Sequence, residues 1–199
     1  RESEEMLKAS LEICNQFVGE VTEAHGLVLA ESLESMALLY GSTQRVRESE
    51  EVFSVSLDIC KYLAKKNPQT YGPFLAKIYN DLALLYGKTQ RLRESEEMFK
   101  ASREIFRYLA EISPKEYEPE LAVLFENMAV LYGRTLRLKE SEESFKSSLA
   151  IYKRLVEDNP RAYEPNLANL YKRMALLYCN IQWFKKSEDM FIASLTIYK

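Results

Sequence analysis

The sequence has few of the residues on which enzymes and metal sites depend. Its 199 residues include one histidine, His25, and three cysteines. No carboxylate is placed to complete a catalytic Ser-His pair, and no Cys/His spacing resembles a zinc site. No glycine-rich loop precedes a helix to hold a phosphate. We therefore predict no catalytic residue, no metal site and no cofactor, and hence no enzyme in this chain.

Three cysteines are too few for a disulfide framework in a chain of this length. Cys14 and Cys60 occupy equivalent places in successive repeats, in a column that Phe106, Tyr152 and Tyr198 fill further along. Equivalent helices of adjacent repeats lie about 10 Å apart, beyond the reach of about 7 Å for a disulfide. We expect buried free thiols in a reducing compartment, and therefore a cytoplasmic protein.

Positive charge and long apolar runs are also scarce. The net charge is −3, the pI is near 5.5, and no run of Lys or Arg exceeds two residues. A nucleic-acid partner is not expected, because such proteins usually present a basic face. No apolar run approaches the roughly 20 residues that span a bilayer, and the N-terminus does not resemble a signal peptide. We expect neither a nucleic-acid partner nor a membrane partner.

Glycine and proline number six each and fall mostly at periodic positions, which indicates helices with short loops. The dominant feature is a repeat of 46 residues, which Ala37, Ala83, Ala129 and Ala175 mark. A fixed period of this size is typical of a solenoid, in which each unit packs only on its neighbours.

Each repeat reads as helix A, a turn and helix B. In the second full repeat, Pro73 suits a first helical turn, Tyr79 and Leu82 fall on one apolar face, and Gly87 is a candidate left-handed C-cap. Helix B starts near Leu92. The predicted fold is all-α, an α-solenoid of antiparallel helix pairs with four A helices and five B helices. We treat residues 1–199 as one array, with a lone helix B at 1–20 and repeats at 21–66, 67–112, 113–158 and 159–199.

The chain begins in the middle of a repeat, since Arg1 has the same phase as Arg47 and Arg93. We expect it to be part of a longer array. Both ends should then expose apolar faces, including Met6 and Phe17 at the start. Missing polar caps favour end-to-end stacking of copies.

The repeat resembles the tetratricopeptide (TPR) family. The resemblance rests on Tyr79-x2-Leu82-Ala83-x2-Tyr86, followed by Ser95-x3-Phe99 with a small residue at Ser102. The repeat departs from the usual pattern of 34 residues: Ala replaces the glycine of helix A, Ser replaces the alanines of helix B, and the closing proline is displaced. The longer units resemble the kinesin-light-chain type. This resemblance implies a right-handed superhelix in which A helices line a concave groove that binds a peptide or helix.

Serine fills two packing columns of helix B in all five copies, for example Ser95 and Ser102. Close helix packing requires a small side chain. We predict that each buried hydroxyl bonds a carbonyl one turn back in its own helix.

Three variable columns of helix A are the candidate partner-binding site. Their polar members are Glu31, Glu34, Ser35, Lys77, Asn80, Asp81, Glu126, Asn127, Asn169, Lys172 and Arg173. Such variation is expected of positions that select a partner, and also of ordinary solvated positions. The adjoining column of Leu38, Leu84, Val130 and Leu176 lacks the side chains of the carboxylate clamp that many TPR proteins carry. We predict a partner with apolar anchors and complementary charges.

Two features of the turns leave alternatives open. Thr and Arg recur as Thr-x-Arg, for example Thr89 and Arg91, and form either a second binding site or hydrogen bonds between repeats. In the last repeat Trp183 and Phe184 stand in this region, either as part of an end cap or as a hydrophobic docking patch.

The predicted function is a protein–protein interaction module that acts as a scaffold or adaptor within a larger protein. One alternative is a structural array that stacks end to end. Another is the recruitment arm of an enzyme whose catalytic domain lies elsewhere in the protein.

Overall fold

The computed structural model describes residues 23–198, and this part of the chain consists of helices joined by short turns, with no strand. The eight helices are α1 (Glu23–Ser42), α2 (Val46–Lys66), α3 (Pro68–Lys88), α4 (Leu92–Ile112), α5 (Pro114–Arg134), α6 (Leu138–Asp158), α7 (Pro160–Asn180) and α8 (Phe184–Thr196). The odd-numbered helices are the predicted A helices and the even-numbered ones are B helices. The all-α prediction is confirmed. The lone B helix predicted for residues 1–20 lies outside the described residues.

The A helices begin earlier than predicted. Helix α3 starts at Pro68, directly after Asn67, whose side chain accepts a hydrogen bond from the backbone N–H of Thr70 at 3.1 Å. A capping Asn followed by proline satisfies the first turn, because proline has no N–H to leave unpaired. Pro73 therefore lies inside the helix and not in its first turn, and that placement was wrong.

The predicted glycine C-caps are also wrong. No described glycine has a positive φ, and the left-handed residues lie at the third position after the glycine column, at Gln44, Gln90, Leu136 and Gln182. The glycines instead lie within helices at points of close approach. A Cβ on Gly133 would lie 2.5 Å from Cδ1 of Leu177, and one on Gly41 would lie 3.3 Å from Cδ1 of Leu85. A larger residue would force these leucine side chains to move, so glycine suits the close approach of the next A helix.

The chain divides into two compact units, residues 1–105 (unit 1) and residues 106–199 (unit 2). In unit 1, α1 packs on α2, α2 packs on α3, and α1 also contacts α3. In unit 2, the same pattern relates α5, α6 and α7, and α8 packs on α7. Each core combines small and large residues, such as Ala37 with Phe53 in unit 1 and Ala129 with Phe145 in unit 2, all nearly inaccessible to solvent.

Seven described serines of the two packing columns bond to the neighbouring helix and not to their own, which corrects the prediction. Ser49, Ser95, Ser141 and Ser187 donate to the carbonyls of Ala37, Ala83, Ala129 and Ala175 at 2.6–2.8 Å. In the second column, Ser56, Ser102 and Ser194 donate to Ala30, Ala76 and Ala168. Alanine brings the helix A backbone close enough for a short hydroxyl to reach it. These bonds fix helix B against helix A at two heights.

The cysteine prediction is confirmed for Cys60, which is buried and free. Burial raises the pKa of its thiol to about 12, so it stays protonated and unreactive. Cys14 lies outside the described residues, and Cys179 is free and exposed. Between residues 23 and 198, no helix has both the length and the hydropathy needed to cross a bilayer.

Candidate functional site

The predicted binding residues on the A helices fall into three classes of exposure. Glu34 and Glu126 are buried, with 4% and 3% of their surface accessible. Asn80, Asp81, Asn127 and Arg173 are half-buried, and Glu31, Ser35, Lys77, Asn169 and Lys172 are exposed. The structure therefore places some of these side chains between neighbouring A helices, whereas others face solvent.

In unit 1, a polar cluster connects α1 to α3. The Nζ atom of Lys77 lies 3.0 Å from Oε1 of Glu34, although that oxygen has no partner in hydrogen-bonding geometry. The Asp81 carboxyl faces the Glu34 carboxyl and accepts a hydrogen bond from Asn80 at 3.2 Å. Burial, and then the neighbouring Glu34, raise the pKa of Asp81 to about 7. Two carboxyl groups thus share one partly buried place, with one exposed ammonium group beside them.

In unit 2, the equivalent cluster connects α5 to α7 and contains a guanidinium group. Nη1 of Arg173 donates to Oε2 of Glu126 at 2.6 Å, and Nη2 lies 3.5 Å from Oδ1 of Asn127. Burial raises the pKa of Glu126, and Arg173 opposes that rise. Arg173 stands in the repeat position that Asp81 occupies in unit 1. The same repeat position therefore adds a second carboxyl group in unit 1 and a guanidinium group in unit 2.

The apolar column of helix A is exposed in all four repeats. Leu38 and Leu84 in unit 1 are 46% and 36% accessible, and Val130 and Leu176 in unit 2 are 37% and 48% accessible. Val123 on α5 is exposed as well. Each lies one turn or less from the polar clusters along its helix. Each unit thus presents aliphatic side chains to solvent beside buried carboxylates.

The Thr-x-Arg turns serve the scaffold. The hydroxyls of Thr43, Thr89 and Thr135 donate to the last carbonyls of helix A. The guanidinium group of Arg91 lies over the ring of Tyr86, 4.2 Å from its centroid, and donates to Glu94 at 2.9 Å. It also reaches Glu50 of the preceding repeat at 2.6 Å, as the prediction of hydrogen bonds between repeats requires.

The last turn replaces this arrangement with a different one. Trp183 takes the place of the arginine and stacks on Tyr178, with 5.9 Å between ring centroids. Lys186 takes the place of the glutamate, and its Nζ lies 4.4 Å from the Trp183 centroid and 3.3 Å from Oε1 of Glu142. The cation has therefore moved three residues along the chain but still covers an aromatic ring and reaches the preceding repeat. Sequence reasoning missed Lys186, although its exchange with the glutamate column was visible. Phe184 beside it is exposed.

Helix α8 and the residues directly after it carry a second apolar surface, the α8 surface, formed by Phe191, Ile192, Leu195 and Tyr198, all of them exposed. In the repeat before, Phe145 and Tyr152 occupy the positions of Phe191 and Tyr198 and are almost fully buried. Helix α7 packs on α6 there. The α8 surface is thus of the type that another helix covers elsewhere in the same unit.

Comparison with known proteins supports the fold. Residues 75–107 match the family described as tetratricopeptide repeat. The crystal structure of BtubC (BKLC) from P. vanneervenii is similar to the whole chain and to 75% of that protein's chain, with a TM-score of 0.70 and 17% identity. A structure of the nearly identical TPR-like repeats assigned to a kinesin light chain of Podosopora anserina matches 96% of this chain and 94% of that one, with a TM-score of 0.63 and 15% identity. No curated protein matches the sequence.

Proposed function

We propose that this chain, a TPR-like repeat array of the kinesin-light-chain type, binds a peptide or helix of a partner protein along its A helices. Repeats of this family generally act as non-catalytic scaffolds for protein partners. We propose that the chain is a cytoplasmic adaptor, that its partner is neither a nucleic acid nor a membrane, and that it has no catalytic residues of its own.

The exposed apolar column on the A helices carries this proposal. Aliphatic side chains exposed at one repeat position, next to polar residues that vary, provide anchor points and selectivity for a partner segment. Glu31 in unit 1 and Lys172 in unit 2 add exposed charges of opposite sign. The partner we propose therefore carries apolar anchors, with basic residues where it meets unit 1 and acidic residues where it meets unit 2.

The test compares proteins captured by the full chain with those captured by the double variant Leu84→Glu/Val130→Glu. A partner bound on the A helices should be lost from this variant. It should be retained by the matched control Tyr62→Glu/Tyr108→Glu, which changes exposed apolar residues of B helices. Circular dichroism confirms that both variants fold. Retention of the partner by the Leu84→Glu/Val130→Glu variant would exclude the A-helix column.

The charged positions need separate treatment. Arg173 pairs with buried Glu126, so its reversal would disturb the fold as well as any binding. The exposed Lys172 can be changed alone. If it contacts an acidic group of the partner in a desolvated interface, Lys172→Glu should weaken binding by about 1 kcal/mol or more. Unchanged affinity would remove Lys172 from the site.

The α8 surface favours a second candidate function, in which copies of the chain stack through their ends. Helix α7 covers the corresponding face of α6 in unit 2. The exposed face of α8 is therefore suited to packing against another helix. Both functions can coexist, since the A-helix column and the α8 surface are formed by different residues.

A further inference from the structure

The two polar clusters of the A helices differ in the kind of cation that meets the buried carboxylate, an exposed ammonium group in unit 1 and a half-buried guanidinium group in unit 2. In unit 2, the guanidinium group of Arg173 lies between A helices and binds the carboxylate of Glu126, which is almost inaccessible to solvent. In unit 1, the corresponding residue is Asp81, so the site has gained a carboxyl group and lost the guanidinium group. Unit 2 therefore shows that the carboxylate at this repeat position can bind a guanidinium group, whereas Glu34 meets the ammonium group of Lys77.

In the unit 1 site, one buried carboxylate oxygen has no hydrogen-bond partner among the described residues. Glu34 is buried as deeply as Glu126, and its Oε1 accepts no hydrogen bond. Lys77 lies close enough for an ion pair, yet its side chain is 61% exposed. Burying a carboxylate without a well-placed donor is unfavourable. A planar group with several N–H donors could reach Glu34 and Asp81 together, which one ammonium group does less well.

We propose that the Glu34–Asp81 site of unit 1 binds an arginine side chain of the partner segment, in the way that unit 2 binds its own Arg173. The proposal rests on the function proposed above and adds the chemistry of one anchor. Lys77 occupies the approach to Glu34 until the partner's arginine displaces it, so one cation replaces another. Glu31, one turn before Glu34, adds a further negative charge at the same face.

The surroundings of the site also define the residue next to the arginine. Leu38 lies one turn after Glu34 on α1, and Leu84 lies three residues after Asp81 on α3. Both are exposed. An arginine bound at the carboxyl pair therefore places neighbouring residues of the partner against these leucines, where an aliphatic side chain fits.

The probe is a pair of peptides, acetyl-Ala-Leu-Ala-Arg-Ala-Leu-amide and the same peptide with citrulline in place of arginine. Citrulline keeps the shape and removes the charge. Each is titrated into the ¹⁵N-labelled full chain, and amide shifts of α1 and α3 are followed. We expect the arginine peptide to bind tighter by about threefold or more, with its largest shifts around Leu38 and Leu84. A ratio below about threefold, or no binding of the arginine peptide, overturns the proposal.

Three variants locate the effect. Asp81→Arg places this chain's own guanidinium group in the site, as in unit 2, and should reduce the arginine peptide to the affinity of the citrulline peptide. If that variant does not fold, Asp81→Asn supplies the residue of the next repeat and should lower the ratio. Lys77→Gln removes the competing cation and should tighten binding of the arginine peptide. Glu51→Gln, an exposed acid on α2, is the matched control and should change nothing. The assignment of the site is overturned if the preference for the arginine peptide is unchanged in the Asp81 variant. It is also overturned if the preference falls equally in Glu51→Gln.

The same titration separates this proposal from the general one. Equal binding of both peptides, lost in Leu84→Glu, would leave the A-helix site in place and refute the arginine anchor. The arginine anchor is also refuted, and the A-helix site retained, if the captured partner is lost in Leu84→Glu/Val130→Glu but binds Asp81→Arg with unchanged affinity.

Discussion

Ser141 and Ser148 lie seven residues apart on α6, and both side chains are fully buried. The hydroxyl of Ser141 donates to the carbonyl of Ala129 at 2.7 Å, whereas the hydroxyl of Ser148 has no partner among the described residues. Ser141→Ala should therefore destabilise the protein by about 1 kcal/mol, the net value of a buried hydrogen bond. Ser148→Ala should be neutral or stabilising, because it removes a buried polar group that is unsatisfied.

Urea unfolding of the two variants, with the wild type alongside, measures this difference. The pair is internally matched, since each substitution removes one oxygen from the same helix. Equal losses at the two positions would mean that serine is retained in these columns for its size alone.

Asp81 makes the stability of the protein depend on pH. Its neighbours are Glu34, Lys77 and Asn80, and its pKa rises in the folded state to about 7 from its usual value of 3.8. Folded protein then retains a proton that unfolded protein has lost, so the stabilisation is complete below about pH 4 and is lost as the pH rises to about 7. Between pH 5 and pH 8, the wild type should lose stability relative to Asp81→Asn.

Urea unfolding at four pH values in this range is the measurement, and the difference between the two proteins removes the effect of all other groups. A difference that is constant with pH would show that Asp81 is ionised throughout. A difference that changes in favour of the wild type would contradict a raised pKa at Asp81.

Single residues show the limit of sequence reasoning most clearly. Spacing identified the serine columns as small and buried, but the acceptor is a carbonyl of another helix, and its location depends on how closely the helices pack. Glu34 and Glu126 looked like solvated groove positions because they vary. They are buried because the next A helix covers them, which no pattern within one helix reveals.

At the scale of elements, the turn between α7 and α8 differs from the earlier turns in a way that can be tested. The earlier turns pair an arginine with a glutamate three residues later, as Arg137 does with Glu140 at 2.9 Å. Here Trp183 and Lys186 replace that pair, and Lys186 reaches Glu142 instead. Lys186→Glu alone should cost about 1 kcal/mol, because it removes a cation–π contact and places two acids together.

The double variant Trp183→Arg/Lys186→Glu restores the arrangement of the earlier turns and should recover much of that loss. Thermal unfolding of the two single variants, the double variant and the wild type forms a double-mutant cycle. We expect favourable coupling of about 1 kcal/mol in the double variant. Additive effects would mean that the exchange at these two positions is not compensatory.

Helix existence and type were predictable, whereas the turn chemistry was only partly so. Apolar spacing located every A and B helix in the described range. The glycine column was assigned to caps because glycine commonly adopts a left-handed conformation, yet Gln90 and Leu136 adopt it instead. The competing reason, close approach of the next A helix to Gly41 and Gly133, comes from packing between repeats and has no local signal.

At the scale of the molecule, the 46-residue period was sufficient to predict the fold class, since a repeat that cannot bury its own apolar face must stack on its neighbours. The candidate binding surface was less predictable. The exposed apolar column follows from helical spacing, but the contrast between a carboxyl pair in unit 1 and an ion pair in unit 2 emerged only when neighbouring helices were placed together.

The α8 surface is suited to association between whole molecules. It exposes Phe191, Ile192, Leu195 and Tyr198, whereas α7 packs on the corresponding helix α6. Burying such residues contributes about 25 cal/mol for each Å² of apolar surface, so a second copy that covers the α8 face should bind it. We therefore expect the average mass measured by sedimentation equilibrium to rise with protein concentration.

The double variant Ile192→Glu/Leu195→Glu should remain monomeric, because it places two carboxylates in the centre of the contact. Leu136→Glu is the matched control, since Leu136 is an exposed leucine of the same unit that lies on a turn. It should associate as the wild type does. A wild type that stays monomeric at the highest concentration reached, or a loss of association in both variants alike, would show that α8 is not the surface through which copies meet.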